Sequence, residues 1–127
     1  MQVEVFTAQH QDTPDAIFPN NWVSTHKNSD IPEGLLVVYP MLAPSRQKEE
    51  NEEILARLKP DYQHYLHLPS FYKKTIFPGE YEGRALEGTG SLIFDTVNKK
   101  IYCAISERAD EQLIDDFLLR FNTISNS

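Results

Sequence analysis

Leu35-Leu36-Val37-Val38-Tyr39 is apolar at every position. A strand sends successive side chains to opposite faces, so a run with no polar position is predicted to be a strand buried on both faces. Pro40 and Pro44 stop it. The chain must therefore supply apolar cover on two sides of one strand. Its 127 residues suffice for one domain with a modest core. Seven Phe, six Tyr and one Trp suit a globular chain, and eight prolines imply many turns.

The remaining elements follow from local pattern. Val3-Glu4-Val5-Phe6 reads as a strand, and a second centres on Trp22 and Val23, with Pro19 interrupting just before. Ser45 is predicted to cap a helix running to Leu58, carrying an i,i+4 pair of Glu53 and Arg57 and ending at Pro60. A weaker strand covers Gln63 to Leu68, and Phe71 to Arg84 reads as loop. Ser91 to Asp95 and Lys100 to Ile105 form a predicted hairpin turning at Asn98 and Lys99. Leu113, Ile114, Phe117, Leu118 and Phe121 mark one face of a helix from Asp110 to Phe121. Asn122 to Ser127 carries no structural signal. After the opening strand the order is β-β-α-β, then β-β-α: an α/β chain of one ββαβ unit and part of a second.

The net charge of −7 argues against a nucleic-acid surface, which needs clustered Lys and Arg. It mildly favours cationic small molecules. The acidic run Glu49-Glu50-Asn51-Glu52-Glu53 reads as a solvated helix face. No apolar stretch is long enough to span a membrane, and the first twenty residues hold neither a basic residue nor an apolar core for a signal peptide. With the single cysteine, Cys103, these features lead to an expected cytoplasmic location.

Candidate chemistry is sparse. Cys103 lies in an apolar strand, where a thiol is expected to be buried and slow to react. His64 and His67 are three apart, a spacing that divides them between strand faces, so no metal site is expected. Glu87-Gly88-Thr89-Gly90 lacks the Lys-Ser/Thr and helix N-terminus of a phosphate loop. It is either a glycine-rich lead into a hairpin or a carboxylate presented by glycines. Asn20 and Asn21 either form an Asx-turn or offer amides to a polar ligand above Trp22. Ser106-Glu107-Arg108 is either the start of a helix, capped by Ser106 or Asp110, or a place where Arg108 meets a substrate carboxylate.

Four ordered blocks carry a family resemblance. Asp15-Ala16-Ile17-Phe18-Pro19-Asn20-Asn21-Trp22-Val23-Ser24-Thr25-His26 resembles the first substrate-binding motif of amidinotransferase-like hydrolases. Leu35 to Pro44 resembles their next strand and turn, and Leu86 to Asp95 is similar to their Glu-Gly-x-Gly block. Ile105-Ser106-Glu107-Arg108-Ala109 resembles the Ser-Glu-Arg-Thr segment of arginine deiminases. The resemblance implies a pentein fold, a five-bladed α/β propeller of ββαβ units, of which this chain would hold about two. Residues 1–127 would then form a single incomplete amidinotransferase-like domain. The implied chemistry is attack of a Cys thiolate on a guanidinium carbon, with a His and an acid moving protons and no cofactor.

Residue by residue, Glu87 matches the acid that pairs with the catalytic His. Asn21 stands where deiminases place a guanidinium-binding Asp, Asp15 matches a supporting acid, and Arg108 matches a basic residue near the substrate carboxylate. The family's nucleophilic Cys and catalytic His have no matching residue, and Cys103 aligns with a structural strand position. The expectation is an internal piece of an enzyme for arginine-like guanidino substrates, inactive alone, with self-association or a complementing subunit as its partner. The competing expectation is a non-catalytic binding or docking module derived from that family.

Overall fold

Strand β2 (Leu35–Val38) is the centre of the structure, a computed structural model that describes residues 1–75, 81 and 83–125. All four residues are buried, and they divide by parity. Leu35 and Val37 join Tyr39, Leu68, Tyr72, Leu86, Leu113 and Phe117 in one apolar cluster. Leu36 and Val38 join Trp22, Met41 and Leu55 in another. The alternation follows from the pleat.

β2 is flanked by β1 (Val23–His26), antiparallel, and by β3 (His64–His67), parallel, in the order β1-β2-β3. A parallel neighbour demands a crossover, supplied by α1 (Pro44–Gln47) and α2 (Glu52–Leu58). Leu55 of α2 covers the Leu36 and Val38 face. These elements form the predicted ββαβ unit. Next come α3 (Leu68–Thr75), a single helical turn α4 (Gly88–Ser91), and the hairpin of β4 (Leu92–Asp95) and β5 (Lys100–Cys103). Asp95 closes the hairpin by accepting the Asn98 backbone N–H at 3.0 Å and its Nδ2 at 2.8 Å, while Lys99 takes φ 56°.

Helix α5 (Glu111–Ile124) begins at Asp110, whose Oδ1 accepts the N–H groups of Gln112 at 2.9 Å and Leu113 at 3.2 Å. Its apolar stripe joins the two sheets: the Phe117 ring lies 5.8 Å from Tyr39, and Phe121 lies 6.0 Å from Phe94 of β4. The fold is thus α/β, with one mixed sheet, one hairpin and short helices. Among the described residues no helix is long and apolar enough to cross a membrane.

Six local expectations are corrected. Val3 to Phe6 forms no strand; Val3 and Val5 are exposed, and polar contacts lay the segment along α2, with Glu4 on Arg57 at 2.8 Å and Asn51 Nδ2 on Thr7 O at 3.2 Å. The helix predicted from Ser45 to Leu58 is two helices. Asn51 is extended and caps α2 by accepting from Glu53 and Ile54 N–H, and this breaks the run. Arg57 pairs with Glu4 and Asp61 rather than with Glu53. The acidic run is a solvated face only in part: Glu52 and Glu53 are exposed on α2, but Glu49 is buried against Arg46, and Glu50 binds His67 at 2.7 Å. Helix α3 occupies the start of the predicted loop from Phe71 to Arg84, while residues 76–80 and 82 lie outside the described residues; α5 runs on to Ile124, past the predicted end at Phe121.

His26, at the end of β1, is enclosed by Phe94 at 4.7 Å and Phe121 at 5.4 Å. Burial lowers its pKa from 6.5 to about 4. Between those values the unfolded chain holds a proton on this residue that the folded chain does not, so stability rises with pH across that window. The contribution is complete above pH 6.5 and is lost as pH falls toward 4. The difference in urea stability between wild type and His26→Gln is expected to change by roughly 3 kcal/mol across it. A difference flat between pH 4 and 6.5 would show that His26 is not buried neutral.

Candidate functional site

Glu87 follows Leu86, whose N–H bonds Pro40 O at 2.9 Å and which bridges to Ala109. This fixes Glu87 between residues 40–42 and residues 108–109. Its side chain is 2% exposed, and its carboxylate has two partners: the Leu42 N–H, donating to Oε2 at 3.0 Å, and Arg108 Nε, 3.8 Å from Oε1. The Arg108 side chain is 69% exposed, so this pairing is held in solvent at one end and out of it at the other.

Pro19–Asn21 forms one 3-10 turn, and Pro19 at its first position supplies a preset φ. The turn lies on α4. A Cβ at Gly88 would come within 2.7 Å of Asn20 O and 2.9 Å of Asn21 O; one at Gly90 would come within 2.7 Å of Asn21 Oδ1. Glycine is a poor helix former, and its presence at two of the four α4 positions is explained by this close approach. Thr89 Oγ1 donates to Asn20 O at 3.0 Å, tying the two turns together. The structure therefore brings Asn21 onto the Glu87-Gly88-Thr89-Gly90 segment. It also forms a helical turn where the sequence suggested only a loop. Asn20 and Asn21 are joined side chain to side chain, Nδ2 to Oδ1, at 3.0 Å.

Arg46 was missed by the sequence reading. Its Nε and Nη2 grip Glu49 at 2.9 and 3.0 Å, and Nη2 also reaches Phe18 O at 3.4 Å and Asp15 O at 3.5 Å. The hydrogen bond to Glu49 raises its already high pKa, with Glu49, Glu87 and Asp15 adding charge attraction. The one available signal was the spacing of three between Arg46 and Glu49, a helical ion pair. Asp15 is exposed and touches the cluster through its carbonyl and its charge. Asp15, Asn21, Glu87 and Arg108 thus surround Arg46 and Leu42 or border their neighbours. None of the four lines the cleft of about 330 Å³ that adjoins the cluster through Trp22, Leu42 and Arg46.

The other expected positions lie apart. His64 and His67 face different carboxylates, Glu33 at 3.9 Å and Glu50 at 2.7 Å. His67 Nδ1 also accepts the Ser70 N–H at 3.2 Å, capping α3. Cys103 pairs with Leu92 in the hairpin; it is half-buried rather than fully buried, and burial raises its pKa.

A family model described as N,N dimethylarginine dimethylhydrolase, eukaryotic, matches residues 1–123. No curated protein and no solved structure gave a match.

Two outcomes follow from this geometry. Gly88→Ala would drive a methyl group into two backbone carbonyl oxygens, with an expected loss of about 1–3 kcal/mol in urea unfolding; an unchanged midpoint would show that the turns are not in contact. Cys103, with its raised pKa, is expected to label with a disulfide reagent at pH 7 several-fold more slowly than in the unfolded chain, on the order of the thiolate fraction lost. Equal rates would contradict the burial.

Proposed function

Because the chain belongs to the dimethylarginine dimethylhydrolase family of guanidino-modifying hydrolases related to arginine deiminase, we propose that it builds one wall of a guanidine-hydrolysing site. Asn21 and Asp15 hold the guanidino group of an arginine-like substrate, Arg108 meets its carboxylate, and Glu87 orients the His that moves protons. The observation that carries this reading is the placement of Asn21 on the Glu87–Gly90 segment, with glycines at both contact points. The β1-β2-α2-β3 order, with an antiparallel and then a parallel neighbour, supports a ββαβ blade of a propeller.

Chemistry at a guanidinium carbon needs a thiolate and an imidazole beside the acid. Among the described residues, no imidazole bonds Glu87, and Cys103 sits on a separate hairpin with a raised pKa. The thiolate and the base of the reaction are therefore assigned to polypeptide outside residues 1–127. Asn at position 21 contributes a dipole where an Asp would contribute a charge, and so holds a cation less strongly.

Titration of the labelled chain with dimethylarginine, followed by amide shifts, tests the wall. Shifts are expected at Asn21 and at residues 88–91, with a Kd of about 1 mM. Asn21→Asp is expected to tighten binding by roughly 2- to 5-fold, the scale of an exposed charge pair. Shifts confined to other residues would sink the assignment. Citrulline release by the isolated chain would overturn the assignment of the nucleophile, and its loss in Cys103→Ala would make Cys103 that nucleophile.

A further inference from the structure

Tyr39, Ser24 and His26 form a line of hydrogen bonds, buried at Tyr39 and half-buried at Ser24 and His26, that none of the proposed roles uses. Ser24 Oγ lies 2.6 Å from the Tyr39 hydroxyl and 2.9 Å from His26 Nε2. Tyr39 is 1% exposed, and Ser24 is the sole partner of its hydroxyl among the described residues. Its ring also stands under the candidate wall: a Cβ at Gly88 would come within 2.9 Å of Tyr39 Cδ2. Its N–H bonds Trp22 O at 2.8 Å, next to Asn21. We propose that Ser24 and His26 are positioning residues for the Asn21–Glu87 wall, acting through Tyr39; the functional meaning of that wall rests on the reading above, while the coupling does not.

The coupling turns on a count of protons. A hydroxyl has one proton to donate. With His26 neutral and its Nε2 bare, Tyr39 donates to Ser24, Ser24 donates to His26, and every buried group is satisfied. If His26 carries a proton on Nε2, the line reverses. His26 then donates to Ser24 and Ser24 to Tyr39, and the Tyr39 proton has no acceptor. A buried donor without a partner is costly, and the simplest relief is rotation or withdrawal of the Tyr39 ring. That ring is the floor of Gly88, so its movement reaches the turn that carries Glu87.

The surroundings enforce the neutral state. His26 meets Ser24 of its own strand, Phe94 of β4 and Phe121 of α5. None of these is a charge partner, and burial is the one cause of its lowered pKa. An acid beside the ring would stabilise the protonated form, and among the described residues His26 forms no ion pair.

Two measurements on the full chain at pH 7 test the proposal without any guanidino ligand, so their failure is distinct from failure of the binding reading. Ring nitrogen spectra should show His26 as the Nδ1–H tautomer with Nε2 unprotonated; the opposite tautomer overturns the direction of the line. Ser24→Ala leaves the Tyr39 hydroxyl without its acceptor. Hydrogen exchange at the Ser91 amide, bonded to Glu87 O, and at the Leu42 amide, bonded to the Glu87 side chain, should then speed up roughly tenfold, the scale of one orphaned buried group. Adding Tyr39→Phe removes the orphan and should return both rates to within about 2-fold of wild type. Unchanged exchange in Ser24→Ala, or acceleration that persists in the double variant, overturns the coupling.

Discussion

Every side chain of β2 leaves water, and the two faces of the strand empty into different apolar clusters. Most of the architecture answers that demand. One face requires α5 and α3, whose Leu113, Phe117 and Tyr72 fill the cluster around Leu35 and Val37. The other requires α2, whose Leu55 meets Leu36 and Val38. Each buried aliphatic contributes about 2 kcal/mol, so exposing either face would cost more than a small domain can spare. β2 also carries Tyr39 at its end, and the residues that follow, Pro40 to Leu42, receive Leu86 and Glu87. The apolar requirement and the polar cluster are consecutive stretches of one chain.

Glu87 shows how the polar cluster tolerates burial. A carboxylate out of water needs a donor and a countercharge, and here they are the backbone N–H of Leu42 and, at 3.8 Å, the charge of Arg108. Arg46 is differently placed: Glu49 takes two of its donors at close range, and Glu87 and Asp15 act on it through charge. One arginine is therefore locked while the other lies loosely against the acid from the solvent side.

The parts legible in sequence are those set by local pattern. The unbroken apolar run gives β2, the apolar stripe with Asp110 before it gives α5, and Asn98 and Lys99 give the hairpin turn. The parts that were not legible depend on distant partners. Nothing near Asn51 reveals that it caps one helix while its amide holds Thr7 O, and nothing in the acidic run reveals that Glu50 turns to His67. Val3 to Phe6 has the alternation of a strand but no strand to pair with, and pairing is a property of the fold. At the candidate site, Glu87 and Asn21 could be singled out because glycines and adjacent asparagines are locally unusual. Arg46 could not, because an arginine one turn before a glutamate is ordinary until the glutamate is seen to be buried.

A charge balance follows from these placements. Asp15, Glu49 and Glu87 oppose Arg46 and Arg108, which leaves the cluster with a single excess negative charge. Glu49 is committed to Arg46 at hydrogen-bonding distance, so the excess is shared by Glu87 and Asp15. Glu87 is itself out of water, and Arg108, mostly in solvent, stands at 3.8 Å, beyond a direct hydrogen bond. The pair is closed on the Glu87 side and open on the Arg108 side, so Arg108 can turn away while Glu87 keeps its bond from the Leu42 N–H. An anion would meet Arg46 already neutralised by Glu49 and would find only Arg108 free to turn. Within the proposed guanidino-binding role, that order of satisfied charges favours a cation over an anion, and an Asn at position 21 leaves the charge attraction to Asp15, with Glu87 held by its own partners.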